Sequence, residues 1–535
     1  MPVLDLRDMP AADPIEADLC IIGSGPAGAT IASELAPGHL RVVVLESGGL
    51  ARQASADALN EIENVGRPRE LDQWNVRNRV LGGSSATWGG RCTVLDSIDY
   101  EARDWVPHSG WPIAAEQIEP YLQRAAPYLG LIIGSDPGDA FWSLAGRPDP
   151  MPAIDKELLV SMFWQFARDR SNPLNCVRFS ERLMSLRGTD VRVLVNATVT
   201  HINLNHARTA VESVEVRSTD GEHRLVSARC VVLCAGGIEN ARLLLASNRQ
   251  IQAGVGNQND LVGRYLMDHP RGKIGSFDPA RTSSLQRWLG VYNAKTPFGS
   301  NLFWRGLRLS PNMQRKLRLL NCVVFLEPEL AADDPLNALK QILRGRPSAR
   351  NAMIVASHAG WLAKGLHRYF VERNGLPRKL DRLNLTCIVE QRPDPDSRIT
   401  LADRTDLFGV PLSRIDWRVG DQERATVRSV ARMVEREFRR LSIEAPAIEA
   451  WVTDEEPLPV SFLDHGHPAG TTRMSRHPER GVVDPDCEVY GVNGLFVSGA
   501  SVFPTVGHAN PAHMIVAMAV RLSDTLKKRL AMSTA

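Results

Sequence analysis

The earliest strong pattern in the chain is a pair of short, unbroken apolar runs with glycines between them. Leu19-Cys20-Ile21-Ile22 suits a strand buried on both faces. Gly23, Gly25 and Gly28 follow at GxGxxG spacing around Pro26 and Ala27, and Thr30 to Leu35 read as the start of a helix. Arg41 to Leu45 form a second β-branched run that ends at Glu46 and Ser47. Residues 191–237 are strand-rich, with Thr219-Asp220-Gly221 as a hairpin turn. This meander returns to a buried strand, Val231-Val232-Leu233-Cys234, and a helix over Ile238 to Ala246. The pattern predicts a dinucleotide domain that is interrupted and resumed, with Asn510-Pro511 opening a last helix.

Each part of the first unit has a physical task. Gly23 allows a tight turn, Gly25 lets backbone amides approach a pyrophosphate, and Gly28 lets helix and strand pack closely. Glu46, at the end of the second strand, can accept both hydroxyls of a ribose. The motif selects a dinucleotide without choosing FAD over NAD. A second glycine-rich stretch, RVLGGSSATWGGR at 79–91, can lay backbone amides along a bulky planar ligand or be a plain surface turn.

Size and charge narrow the classes. A chain of 535 residues exceeds the usual reach of one hydrophobic core, so two closely packed domains are expected. A formal charge of +2 argues against a protein built for nucleic acid. The eight cysteines form no CxxC pair or metal-ligand cluster, so no metal is expected and the thiols are read as reduced. The N-terminus has early acids and no apolar core of signal-peptide length, and no uncharged apolar stretch of about 18 residues occurs. A cytoplasmic protein is the default expectation.

The C-terminus holds HPAGTTRM at 467–474 and VYGVNGLFVSGASVFPTVGHANPAHMIVAMAVRLSD at 489–524. With GWPIAAEQIEPYL at 110–122, VVLCAGGIENARLLL at 231–245 and LVGRYLMDHP at 261–270, these resemble the glucose–methanol–choline oxidoreductase family, in its pyranose-oxidase-like branch. The resemblance implies an α/β fold: a discontinuous Rossmann-like FAD-binding domain (1–95, 190–270 and 460–535) with an α+β substrate-binding domain on an antiparallel sheet (96–189 and 271–459). It implies elongated FAD, with Val199, Ala235 and Gly236 near the adenosine. Ser84, Ser85, Thr87, Trp88, Gly89 and Gly90 run past the flavin, and Gly83, Gly499, Ala500, Asn510, Pro511 and Ala512 are further cofactor-binding residues.

By the same resemblance His467 is the base that takes the hydroxyl proton from an alcohol, and Asn510 orients the substrate oxygen. An ordinary histidine pKa implies a rate that rises through about pH 6–7. Asn510 is also a good N-cap, which leaves a purely structural reading open. His465 and Gln391 are the candidate substrate contacts, with a strand-to-turn role as the alternative for Gln391. His269 is read as structural, and His508 and His513 as packing or solvent residues. Thr87 stands where pyranose oxidases carry a flavin-linked histidine, so the FAD is expected to be noncovalent. Gly89 replaces a usual threonine, which favours a dehydrogenase over a fast oxidase.

The expected substrate is a small alcohol, foremost a sugar, glycoside or polyol. A non-sugar alcohol, a redox-silent lyase, a light-driven decarboxylase and a flavin-binding interaction protein remain as alternatives. Residues 281–382 carry eighteen Lys/Arg against six acids. A solvated helical face is the first reading there, with a membrane surface, an acidic partner or a phosphorylated substrate as others.

Overall fold

The structure, a computed structural model, describes residues 3–532 apart from 10–14, 70–75, 170–171, 173–174, 187, 280–281, 297–298, 372–375, 377 and 455. Parts of the acidic N-terminus and of the basic segment 281–382 thus lie outside the described residues. The apolar run at 19–22 is the C-terminal half of the strand Ile15–Ile22. Val42–Leu45 lies parallel beside it, with Leu19 opposite Val42, and is buried throughout. The sheet runs Val3–Asp5, Val191–Val195, Val42–Leu45, Ile15–Ile22, His223–Leu233, Val211–Arg217, Thr198–Leu204, and Leu495–Val497 pairs beside His223–Leu233. Its strands are parallel except Val211–Arg217, which is antiparallel to both of its neighbours. The turn at Thr219-Asp220-Gly221 joins Val211–Arg217 to His223–Leu233, as the hairpin signal predicts.

The first helix spans Pro26–Leu35, four residues longer at its start than the sequence pattern suggests. Proline sits at its first position, where no N–H is needed, and Gly25 is the cap. A Cβ on Gly28 would stand 2.0 Å from the carbonyl oxygen of Gly23, so helix and strand meet at a distance only glycine permits. Gly23 itself has a φ of +102°.

A second, antiparallel sheet runs Ala447–Ile448, Arg271–Phe277, Leu380–Val389, Cys322–Leu330, Gly299–Leu309, Leu159–Phe166, Arg91–Cys92, with Val291–Thr296 paired to Gly299–Leu309. Alternation sorts its two faces. Leu385, Cys387 and Val389 share a core with Val427, Val430 and Phe438 of the helix Asp421–Arg440. Ile388, Val323 and Phe325 point the other way and cluster with Met162 and Trp164. A small third sheet joins the hairpin of Arg398–Thr405 and Pro411–Asp416 to Ile62–Asn64. All eight thiols are free, and all but Cys176 are buried. No helix among the described residues is long and apolar enough to cross a membrane.

Candidate active site

A cleft of about 470 Å³ starts at the C-terminal ends of Ile15–Ile22 and Val42–Leu45 and extends to the opening of the last helix, Ala512–Met532. Of the candidate cofactor-binding, catalytic and substrate residues, all but Gly28 and Gln391 line it. Gly28 acts behind it, in the helix–strand contact. Gln391 is a correction: it is fully buried and its amide is consumed internally. Its Oε1 accepts from the backbone N–H of Asp268 and from Trp417 Nε1, both at 2.8 Å, and its Nε2 donates to the carbonyls of Arg418 and Leu266. It props the MDHP segment and does not line the cleft.

The cleft fits an extended dinucleotide. Side chains built on Gly25, Gly89, Gly236 and Gly499 would meet nothing within 4 Å, because each would project into the cleft. Glu46 is buried at one end. Its Oε2 accepts from the Ser24 N–H and hydroxyl, and its Oε1 from the Gly48 N–H at 2.8 Å. Burial raises its pKa against these bonds and the nearby Arg79. Arg77, Arg79 and Glu239 line the same end; Arg79 and Glu239 fall within the stretches 79–91 and 231–245, whose pattern gives them no separate role. Burial would raise Glu239, but Arg242, Arg79 and Arg77 outweigh it and hold the carboxyl at about 2. Thr87 donates to Asn78 Oδ1 at 2.7 Å.

At the other end stand His465, His467 and Asn510. Asn510 is 7% exposed, and its Oδ1 finds no hydrogen-bond partner among the described residues. It therefore does not cap the last helix through that oxygen. His467 Nδ1 lies 3.0 Å from His269 Nδ1, and His269 Nε2 lies 3.3 Å from the Val506 carbonyl oxygen. His269, read from the sequence as merely structural, is thus the immediate partner of the candidate base. Its mark in the sequence is only the DHP tripeptide, 198 residues before His467.

Asp268 holds this pair in place. Its carboxylate accepts the backbone N–H groups of His269, His465 and His467 at 2.7–2.9 Å, and Arg69 Nη2 at 2.7 Å. Burial would raise its pKa, yet Arg69 and the two imidazoles outweigh it and keep the group below the ordinary carboxylate range.

Burial, then the neighbouring His269, pushes His467 down to about 3 against the pull of Asp268. The ordinary histidine pKa assumed from the sequence does not apply to this ring. His465 is likewise held well below its usual value, by burial and then by His467 and Arg91. Arg91 Nη2 stands 3.2 Å from His465 Nε2, and since a guanidinium only donates, His465 carries its proton on Nδ1. The Arg91 guanidinium lies over Trp304, Phe325 and Trp164 at 5.2–5.8 Å from their ring centres, on the cleft-facing side of the second sheet. His508 and His513 are buried away from the cleft lining. His513 donates to the Leu122 carbonyl, and His508 stands 3.9 Å from Asp96.

The chain is 24% identical to a 2-methyl-1,2-propanediol dehydrogenase of Mycolicibacterium austroafricanum, over 96% of each chain. It is also 24% identical to a 6'''-hydroxyparomomycin C oxidase of Streptomyces lividus, over 96% of this chain and 92% of that one. The fold superposes on pyridoxine 4-oxidase from Mesorbium loti with a TM-score of 0.59, at 17% identity over 96% and 99% of the two chains. Residues 179–271 match the N-terminal model of the GMC oxidoreductases, and residues 393–519 match the C-terminal one. The chain thus carries both halves of the GMC oxidoreductase signature, in order.

Proposed function

We propose that this enzyme oxidises a hydroxyl of a sugar, glycoside or polyol to the carbonyl, with His467 as the base. The FAD that GMC oxidoreductases bind supplies the hydride acceptor. Gly23, Gly25 and the start of the helix Pro26–Leu35 would hold its pyrophosphate, and Glu46 its adenosine ribose. The binding is noncovalent, because Thr87 offers no ring nitrogen for a flavin bond. We assign 1–95, 190–270 and 460–535 to the cofactor domain and 96–189 and 271–459 to the substrate domain.

The observation that carries the reading is the histidine pair. A carbonyl oxygen only accepts, so the Val506 contact puts the proton of His269 on Nε2. A neutral His269 then presents a lone pair at Nδ1, and the 3.0 Å contact requires His467 to carry its proton on Nδ1. The lone pair of His467 falls on Nε2, the nitrogen left to accept the substrate's proton. Asn510 positions the substrate oxygen without titrating, and Arg91 with His465 offers donors to its remaining polar groups.

Related proteins support an alcohol substrate: one is named for a diol, another for an aminoglycoside, and a Streptomyces fradiae relative is a paromamine 6'-oxidase. The test is anaerobic flavin bleaching with a panel of sugars, glycosides, polyols and simple diols. Bleaching by at least one hydroxyl compound is expected, and a flavin that no alcohol reduces would reject the reading.

A further inference from the structure

Residues 335–371 contain six Lys/Arg and no Asp or Glu. They fold into three short helices, Pro335–Leu343, Ala349–Ser357 and Ala359–Phe370. The second buries Ile354 alone and the third buries Gly365 alone. Helices of this length are marginal in water unless a face is packed, and a glycine gives almost no apolar area to pack. Their apolar stripes face outward instead. Ala349, Ala352, Met353 and Ala356 are exposed on the second helix, and Ala359, Ala363, Leu366 and Phe370 on the third, at i, i+3/i+4, i+7 spacing. Leu343, Met353, Phe370 and Val371 are 62–77% exposed. Exposed apolar side chains gathered on consecutive elements mark an interaction surface.

The charges identify what it meets. Arg344, Arg346, Arg350 and Lys364 are exposed among these apolar positions and have no ion-pair partner among the described residues. The acids just before the segment are already engaged: Asp333 by Lys379, and Asp334 by Arg378 and the cap of the first helix. A second copy of the chain docking through the same face would set these cations against their own kind. Nucleic acid would satisfy the cations and leave the apolar stripes in water. An anionic bilayer satisfies both, taking Leu366, Phe370 and Met353 below the headgroups while the cations meet the lipid phosphates.

We propose that the helices over 335–371 form a docking face for anionic membrane surfaces. None of these residues lines the cofactor cleft, so docking does not depend on the catalytic reading and leaves the cleft intact.

The purified flavoprotein is sedimented with vesicles of phosphatidylcholine alone, or of phosphatidylcholine and phosphatidylglycerol in equal parts. Binding to the anionic vesicles at low salt, weakening as the Debye length shrinks to about 8 Å near physiological ionic strength, is expected. Pure phosphatidylcholine should bind far less. Arg344→Gln, Arg350→Gln and Lys364→Gln together should weaken anionic binding roughly a hundredfold. Phe370→Ser with Leu366→Ser should weaken it at least about tenfold and leave the yellow colour and melting temperature unchanged. Absence of vesicle binding at low salt would overturn the proposal, as would equal binding to both vesicle types. Self-association abolished by Phe370→Ser, without lipid binding, would instead give the face to a second copy and would also overturn it.

Discussion

His269 and His467 meet nitrogen to nitrogen, Nδ1 to Nδ1 at 3.0 Å, and the Val506 carbonyl at the far side of His269 gives that contact a direction. Removing the acceptor should therefore release the tautomer of His467. His269→Phe is expected to slow flavin reduction by about tenfold to a hundredfold, the scale of one buried hydrogen bond. His269→Asn, whose amide oxygen can stand near the lost Nδ1, should recover much of that rate. Stopped-flow reduction without oxygen measures both. Equal rates for the phenylalanine and asparagine variants would show that His269 only fills space.

The acid limb of the reaction follows from the depressed pKa of His467. The base works in its neutral form, and a group held near 3 stays neutral far below its usual range. Reduction should be flat from about pH 6 to about pH 8 and fall only under strongly acid conditions. A rise through about pH 6–7 would place the controlling proton elsewhere. His467→Ala should keep FAD and lose about a hundredfold to ten-thousandfold in reduction. Asn510→Ala should slow reduction and leave the flat profile unchanged.

Glu46 is buried with its oxygens held by Ser24 and Gly48, and the proposed cofactor pose gives it the ribose. Glu46→Ala should weaken FAD retention by roughly 1.5–3 kcal/mol, the worth of a charged hydrogen bond. Equilibrium dialysis of the flavin reads this directly, and unchanged affinity would remove Glu46 from the cofactor site.

Acid precipitation should release all of the chromophore as free FAD. Thr87 offers no ring nitrogen, and the Cys234 thiol in the cleft wall is raised far above its usual pKa by burial. Yellow colour remaining in the pellet would refute noncovalent binding.

The sequence carried the cofactor end of the site better than the substrate end. Gly23, Gly25 and Glu46 are read from local spacing because one βαβ unit places all three. His467 and Asn510 were visible through short contiguous motifs. The roles of His269, Arg69 and Asp268 were not, since their meaning comes from contacts that span 198–395 residues of chain. Gln391 misled for the same reason: a polar residue in a strand-to-turn stretch looks available until Trp417 and the Asp268 backbone are seen to occupy it. The helix Pro26–Leu35 began earlier than its apolar pattern because Pro26, Ala27 and Gly28 carry little hydrophobic signal while suiting the first turn.

Asp268 ties the order of folding to the onset of activity. One carboxylate gathers amides from residue 269 and from residues 465 and 467, so the base is not aimed until late-synthesised chain returns to the middle of the sequence. The glycine turn and Glu46 need only the first few dozen residues and their sheet neighbours. Gly499, Ala500, Asn510, Pro511 and Ala512 in the cleft wall come from the same returning chain, so cofactor retention and turnover both wait for it.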